Sequence, residues 1–198
     1  MPVSTRRTQH NANPNNYWGK YISSQGAANL HNYKYAGSDA SYIYNYITNP
    51  YLYPAVLKCI PLWVAPNLIT LAGLICTFIT HGIMMYYCPT LDGHAPTWAY
   101  ALNGVFFFAY QTLDAVDGKQ ARRTGNGTPL GLLFDHGCDA VNTTISALTL
   151  LATLQLGPTW WSFSFWGIGV LGFYAATWEE YYTGEVRGKK EESEGEGD

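Results

Sequence analysis

Four long apolar blocks constrain the fold of this chain more than any other feature of its sequence. A helix needs about 20 apolar residues to cross a bilayer, and each block is long enough. A helix of a soluble protein normally keeps a polar face, yet the first, second and fourth blocks have almost none. We therefore predict an all-α, polytopic membrane helical bundle with about four transmembrane helices; the alternative is four buried helices of a soluble bundle. The blocks run from Val64 to Cys88, from Ala95 to Leu113, from Pro129 to Leu156 and from Thr159 to Trp178.

The two ends of the chain differ from these blocks in composition. Residues 1–35 are polar and rich in Asn, Gln and Ser, and residues 185–198 consist mainly of Glu, Lys and Gly. Such segments cannot bury enough apolar surface to fold. We therefore predict a disordered cytosolic tail at 1–35, a membrane domain at 36–184 and an acidic disordered tail at 185–198.

The stretch before the first block is rich in tyrosine and isoleucine between residues 39 and 49. Tyrosine favours the boundary between membrane and water. We predict an amphipathic helix that lies in the cytosolic interface and stops at Pro50, with a second interfacial helix over Tyr53–Ile60. An ordinary linker is the alternative interpretation.

The positions of the basic residues indicate how the chain is oriented. All 11 Lys and Arg residues lie before the first block, between the second and third blocks, or after the fourth. Basic residues favour the cytoplasmic side of a membrane. Both ends and the predicted loop 118–128 are therefore expected in the cytosol. The net charge is −3, and we expect no nucleic-acid partner.

Four aspartates lie in or beside the apolar blocks, where an ionised carboxylate is costly. Asp114 and Asp117 are three residues apart and share one helix face, and Asp135 and Asp139 are four residues apart and share another. Two such pairs on adjacent helices can converge on one point. Clustered carboxylates form a hard oxygen site, which suits two Mg²⁺ ions, or Mn²⁺, better than Zn²⁺.

Two hard cations call for an anionic substrate, and a phosphate is the usual one. Gly118 directly follows the first pair and would let the backbone come close to a ligand. Arg122 lies one helical turn further on and can make a bidentate contact to phosphate. The alternative for Arg122, together with Lys119 and Arg123, is a basic cluster that only sets membrane topology. Because buried acids also line ion paths, a membrane ion carrier is a further alternative.

The spacing DxxDGxxARx8GxxxDxxxD is present over residues 114–139. This pattern resembles the signature of the CDP-alcohol phosphatidyltransferase superfamily. The strings PLWVAPNLIT, DAVDGKQARRT and LFDHGCD look like those of the eukaryotic choline/ethanolamine phosphotransferases, and the resemblance covers roughly residues 36–183. The positions that match the signature are Asp114, Asp117, Gly118, Ala121, Arg122, Gly131, Asp135 and Asp139.

The resemblance implies an activity and a set of roles. Members of this branch transfer phosphocholine or phosphoethanolamine from CDP-choline or CDP-ethanolamine to diacylglycerol and release CMP. His136 matches the family's proton acceptor, and Asn67 and Arg122 match its nucleotide-binding residues. The alternative for His136 is a residue that only supports a metal-binding carboxylate. The resemblance also implies a homodimer in the endoplasmic reticulum or Golgi membrane, with its site facing the cytosol and in contact with membrane lipid. The residues that match the family's ligands for two Mg²⁺ are Asp114, Asp117, Asp135 and Asp139.

Two departures from the branch favour a second hypothesis. Leu132 stands where the branch usually carries Glu in GELFDHG, a residue thought to assist the catalytic His. The chain is also about half as long as members of the branch, so we expect a truncated N-terminal half. The second hypothesis is therefore a non-catalytic member that binds CDP-alcohol or regulates a full-length partner.

Overall fold

The computed structural model describes residues 41–183. They form a π-helical segment, Tyr44–Leu52, followed by five α-helices, and this part of the chain contains no strand. The prediction of an all-α fold is confirmed. The predicted tails at 1–35 and 185–198 lie outside the described residues. The helices are α1 (Tyr53–Cys59), α2 (Pro66–Tyr87), α3 (Thr97–Thr124), α4 (Pro129–Thr153) and α5 (Trp160–Thr183).

Proline and glycine set most of the helix boundaries. Proline occupies the first position of α2 and of α4, where its missing N–H is not needed and its fixed φ suits a helix. α3 begins after Pro96 and ends at Gly125, which takes a left-handed φ of 67°. A glycine adopts this conformation without a Cβ clash, so it closes the helix. Thr128 then caps α4, because its Oγ1 accepts a hydrogen bond from the N–H of Gly131 at 3.0 Å.

The predicted loop at 118–128 is shorter in the structure. Helix α3 continues to Thr124, and the connection to α4 comprises only residues 125–128. The residues after Asp117 include Lys, Gln, Ala and Arg, which are strong helix formers, and they outweigh the single Gly118. The aspartates and the basic residues therefore lie on one continuous helix.

The segment before α2 also differs from its prediction. The expected helix stop at Pro50 is wrong, because Pro50 lies inside the π-helical segment Tyr44–Leu52. Proline has no N–H and its ring collides with the carbonyl four residues earlier, so a wider helical turn accommodates it. The side chains of Tyr42, Ile43, Tyr46 and Ile47 are exposed.

Helix α2 is the centre of the bundle. It packs against both α3 and α4, α5 packs against α4, and α1 packs against the π-helical segment and α3. The face that α2 buries consists largely of small residues and threonines, among them Thr70, Gly73 and Thr77. A Cβ added at Gly73 would lie 3.3 Å from Cδ2 of Tyr110, so the absence of a side chain lets α3 come close at this level.

Side chains at the end of α3 attach the segment that precedes α2. Lys119 Nζ donates to Asn49 Oδ1 at 2.7 Å, and Arg123 Nη1 donates to the carbonyl of Leu57 at 2.7 Å. The fully buried Gln120 donates to two carbonyls in the loop before α2. Lys119 and Arg123, two of the three basic residues of this region, therefore connect α3 to the segment that precedes α2.

Within residues 41–183, α2 is the one helix that is both long and apolar enough to cross a membrane by composition. α3, α4 and α5 contain 28, 25 and 24 residues. At about 1.5 Å of rise per residue, each is long enough to span a bilayer. The helical architecture thus matches the prediction, while the bundle of four membrane spans goes beyond these findings.

Candidate active site

Three of the four predicted metal ligands come together between α3 and α4. Asp114 lies on α3, and Asp135 and Asp139 lie one turn apart on α4. One carboxyl oxygen from each lies within 4.8 Å of the corresponding oxygen of the other two, and all three residues are half-buried. Carboxylates at this separation repel one another unless a cation lies among them. The arrangement is therefore suited to a divalent metal ion.

The hydrogen bonding of these carboxylates provides a test of that fit. Oδ1 of Asp114 and Oδ1 of Asp135 are shielded from solvent and have no hydrogen-bond partner within residues 41–183. A buried oxygen without a partner costs free energy, and a bound cation would supply one. Carboxylate oxygen is the donor that Mg²⁺ and Mn²⁺ prefer. The residues present thus fit the predicted type of ion.

The fourth aspartate, Asp117, is buried beside this group rather than among its three members. Thr70 on α2 donates a hydrogen bond from its Oγ1 to Oδ2 of Asp117. Asp117 is therefore placed to extend the group of carboxylates toward α2.

A tyrosine holds the other side of the group. Tyr110 lies one turn before Asp114 on α3 and donates a hydrogen bond from its OH to Oδ1 of Asp139 at 2.6 Å. This bond crosses from α3 to α4 and fixes one carboxylate rotamer. Hydrogen bonds of this kind orient metal ligands and affect metal affinity.

Asn67 lies at the first turn of α2, next to the start of α4. A Cβ added at Gly131 would lie 3.4 Å from Oδ1 of Asn67 and 3.3 Å from Oγ1 of Thr128. Gly131 therefore leaves room for the Asn67 side chain beside the N-terminus of α4. The motif glycine of the sequence pattern has a steric reason here.

Arg122 differs from its two basic neighbours. Lys119 and Arg123 donate to the segment before α2, whereas Arg122 is exposed and forms no hydrogen bond or ion pair with any residue in 41–183. Its Nη1 lies 3.9 Å from the position that a Cβ of Gly118 would take. The guanidinium thus lies beside Gly118, which has no side chain and directly follows Asp117.

His136 follows Asp135 on α4, and its ring faces the last helix. Nε2 of His136 lies 3.6 Å from Oε2 of Glu180 on α5. The two side chains are 26% and 12% exposed, so the pair is largely removed from water. The candidate proton acceptor is therefore paired with a carboxylate that is not one of the four predicted metal ligands.

The comparison with known proteins identifies the family of the chain. Residues 63–183 match the family described as CDP-alcohol phosphatidyltransferase, a range that includes every site residue discussed above. The chain belongs to this family. The expectation drawn from the sequence pattern is thereby confirmed at the level of the family.

Several relatives are similar over most of the chain. It is 48% identical over 165 residues to the uncharacterized CDP-alcohol phosphatidyltransferase class-I family protein 2 of Dictyostelium discoideum. It is 46% identical over 165 residues to choline/ethanolaminephosphotransferase 1 of Arabidopsis thaliana, and 46% identical over 134 residues to cholinephosphotransferase 1 of Mus musculus. These alignments cover 83%, 82% and 67% of this chain, but 40%, 41% and 33% of the relatives. The chain thus spans about two fifths or less of their length.

Sequence reasoning did not find three of the residues that complete the site. Tyr110 and Thr70 support Asp139 and Asp117, and Glu180 pairs with His136. A signal was available for Glu180, since it is an acidic residue two positions after the fourth apolar block. Nothing in the sequence linked Thr70 to Asp117, because their positions are 47 residues apart.

Proposed function

We propose that this protein transfers phosphoethanolamine or phosphocholine from the CDP-alcohol to diacylglycerol, releasing CMP and forming a phospholipid. The observation that carries the proposal is the group formed by Asp114, Asp135 and Asp139, with two buried oxygens that lack partners. The family membership and the names of the Arabidopsis and mouse relatives support the choice of substrates.

The four aspartates would hold two Mg²⁺ ions, or Mn²⁺ in their place. When bound, such ions neutralise the charge of a diphosphate and of the group that is transferred. The carboxylates of α3 and α4 supply the ligands, and Tyr110 and Thr70 keep two of them oriented. The protein thereby presents the ligands in a fixed arrangement before the substrate arrives.

The residues around the carboxylates would bind the CDP-alcohol. Gly118 leaves space for the diphosphate next to Asp117, and the exposed guanidinium of Arg122 extends over the same stretch. Its planar fork of donors matches two phosphate oxygens. Asn67, beside Gly131 at the start of α4, would contact the nucleotide.

His136 would accept the proton of the diacylglycerol hydroxyl. The hydroxyl oxygen forms a bond to the phosphorus that carries the alcohol, the bond from that phosphorus to the bridging oxygen opens, and CMP leaves with the electron pair. The proton passes to a ring nitrogen of His136. An imidazole is suited to this role because it gains and loses a proton near neutral pH.

The membrane setting is part of the proposal. Large apolar side chains are exposed on all four long helices, including Phe78 on α2, Phe108 on α3, Leu133 on α4 and Ile168 on α5. Apolar surfaces of this extent are typical of contact with lipid or with another protein. We propose four membrane spans in the endoplasmic reticulum or Golgi membrane, a site that faces the cytosol, and a homodimer. A lipid acceptor would then reach the carboxylates from the bilayer.

The purified chain, reconstituted with diacylglycerol and Mg²⁺, should convert labelled CDP-ethanolamine or CDP-choline into labelled phospholipid. Asp135→Ala should abolish the product, because it removes a metal ligand. Asp92→Ala is the matched control, since Asp92 is an exposed aspartate at the other end of the bundle and should be dispensable. Absence of product with both CDP-alcohols would reject the transferase proposal.

The same preparation tests the second candidate function. Leu132 stands where related proteins usually carry glutamate. The second candidate function is therefore the binding of CDP-alcohol without its conversion to product. Nucleotide binding without product, unchanged by Leu132→Glu, would support that function. Turnover by the unmodified chain would exclude it.

A further inference from the structure

The last helix contributes a carboxylate to His136. Glu180 extends from α5, and its Oε2 lies 3.6 Å from Nε2 of His136 on α4. This contact joins residues 44 positions apart, so it depends on how α5 packs against α4. Its neighbour Glu179 is exposed, whereas Glu180 is half-buried, so the two adjacent glutamates differ in their burial.

A carboxylate beside an imidazole has a defined physical effect. An imidazole has two ring nitrogens, and the nitrogen that faces the carboxylate keeps its proton while the other nitrogen keeps its lone pair. The carboxylate also restricts rotation of the ring and stabilises the positive charge that appears when the ring accepts a proton. The separation of 3.6 Å is slightly longer than a hydrogen bond and within the range of an ion pair.

Helix α4 itself offers no acid for this task one turn before the histidine. Leu132 occupies that position, and both Leu132 and His136 are half-buried on one face of α4. An acid from another helix can perform the same task. Glu180 is only 12% exposed, and a carboxylate in such a place requires a partner of opposite charge or a donor.

We infer that Glu180 is the positioning residue of His136: it holds the ring by Nε2 and directs the lone pair of Nδ1 toward the acceptor hydroxyl. The inference rests on the proposed function for the identity of that hydroxyl. It assigns to α5 a part in the reaction that the sequence motif, confined to residues 114–139, does not contain.

The test compares Glu180→Ala with Glu179→Ala in the full chain. Alanine is the strongest helix former, so both variants should keep α5. Glu180→Ala should lower kcat about 10- to 100-fold and leave KM for both substrates unchanged, because ring orientation matters after binding. Glu179→Ala should retain kcat. Equal kcat for the two variants would overturn the inference.

A second-site rescue distinguishes the loss of ring positioning at His136 from a packing defect in α5. Leu132→Glu, introduced into Glu180→Ala, returns a carboxylate to the histidine from the same helix and should restore most of the lost kcat. A packing defect in α5 would not respond to a change on α4, and failure of the rescue in a folded double variant would contradict the inference. If Glu180→Ala does not fold, Glu180→Gln keeps the side-chain size and should lower kcat as well.

A spectroscopic measurement decides the matter without turnover. In the chain labelled with isotopic histidine nitrogen, the signals assigned by their loss in His136→Asn should show the Nε2–H tautomer. Glu180→Ala should shift these signals toward the other tautomer, and Glu179→Ala should not. Unchanged signals in Glu180→Ala would overturn the inference. A chain without turnover but with this shift would reject the proposed function and retain the role of Glu180.

Discussion

The two ends of the helical bundle are built on opposite principles. The carboxylate end is defined by Asp114, Asp117, Asp135 and Asp139. Three buried side-chain polar atoms lack a partner within residues 41–183: Oδ1 of Asp114, Oδ1 of Asp135, and Oε1 of Gln120, which lies three residues after Asp117. The loop end, defined by residues 88–96 and 154–159, is closed by hydrogen bonds. There the N–H of Gly157 donates to the carbonyl of Leu91 at 2.9 Å, and Sγ of Cys88 donates to the carbonyl of Gly93 at 3.0 Å.

A buried apolar cluster adjoins the loop end. In this cluster Met84, Cys88 and Ala152 are completely buried, and Ala99 is 1% exposed. Buried apolar contacts and satisfied polar groups stabilise a fold, whereas buried unpaired oxygens destabilise it. We infer from this difference that the carboxylate end lowers the free energy of unfolding because its oxygens are left available to a ligand. The loop end raises it because its contacts hold the helices together.

The largest effect is expected from Asp114→Asn. Loss of one ligand charge should lower turnover by about 1,000-fold, the size of effect seen when a group that stabilises transition-state charge is removed. The same change should raise the thermal stability of the metal-free protein, because repulsion with Asp135 and Asp139 falls and an amide can donate to them. Activity and unfolding measurements in excess chelator check both parts. A less stable metal-free variant would contradict the assignment of this end to ligand binding.

The loop end should respond in the opposite way. In Gly93→Ala, the new Cβ would lie 2.8 Å from the carbonyl oxygen of Tyr87 and 3.1 Å from Cα of Cys88. We expect the free energy of unfolding to fall by about 2 kcal/mol, since the backbone must shift to accept the methyl group. Turnover per folded molecule should stay the same. Gly82→Ala is the control, because no atom lies within 4 Å of its added Cβ.

A pair of tyrosines on α3 compares the two ends directly. Tyr110→Phe removes the hydrogen bond to Asp139 and should raise the Mg²⁺ concentration for half-maximal activity about 10-fold. Tyr100→Phe removes the bond from the N–H of Ala95 at the loop end, so it should lower stability and leave the Mg²⁺ requirement unchanged. A Mg²⁺ titration of the two variants distinguishes the roles. Equal requirements would show that Tyr110 does not orient Asp139 for the metal.

The smallest effect is expected at Gly131. In Gly131→Ala the new Cβ would press on Oδ1 of Asn67 and Oγ1 of Thr128, so Asn67 must move by a few tenths of an ångström. We expect KM for the CDP-alcohol to rise about threefold with little change in kcat, as for a small overpacking near a binding residue. Gly137→Ala on the same helix has no neighbour within 4 Å and serves as control. An equal KM for both variants would remove Asn67 from the nucleotide site.

Much of the helical order was predictable because it depends on local patterns. Runs of apolar residues marked α2 to α5, and prolines marked the starts of α2 and α4. The prediction of a loop at 118–128 is wrong because charge alone does not distinguish a loop from an exposed helix, and the residues of this stretch favour a helix. The error at Pro50 arose because proline was treated as a stop, whereas a wider helical turn accepts it.

The candidate site was predictable in part for the same reason. The spacings of Asp114 to Asp117 and of Asp135 to Asp139 placed each pair on one helix face without any tertiary knowledge. Of the three basic residues of this region, the sequence favours a ligand role for Arg122 only, with a basic cluster that sets membrane topology as the alternative. The structural roles of Lys119 and Arg123 depend on contacts with Asn49 and Leu57, which the sequence did not predict.

The sequence by itself determined that the four apolar blocks form long helices, which aspartates share a helix face, and to which family the chain belongs, since these depend on short-range patterns. The tertiary structure decided that Asp114 meets Asp135 and Asp139, that Asp117 bonds to Thr70, and that Glu180 faces His136. Each of these contacts joins separate helices. Their formation depends on helix packing, in which Gly73 lets α3 approach α2, and packing is not encoded in the periodicity of any one segment.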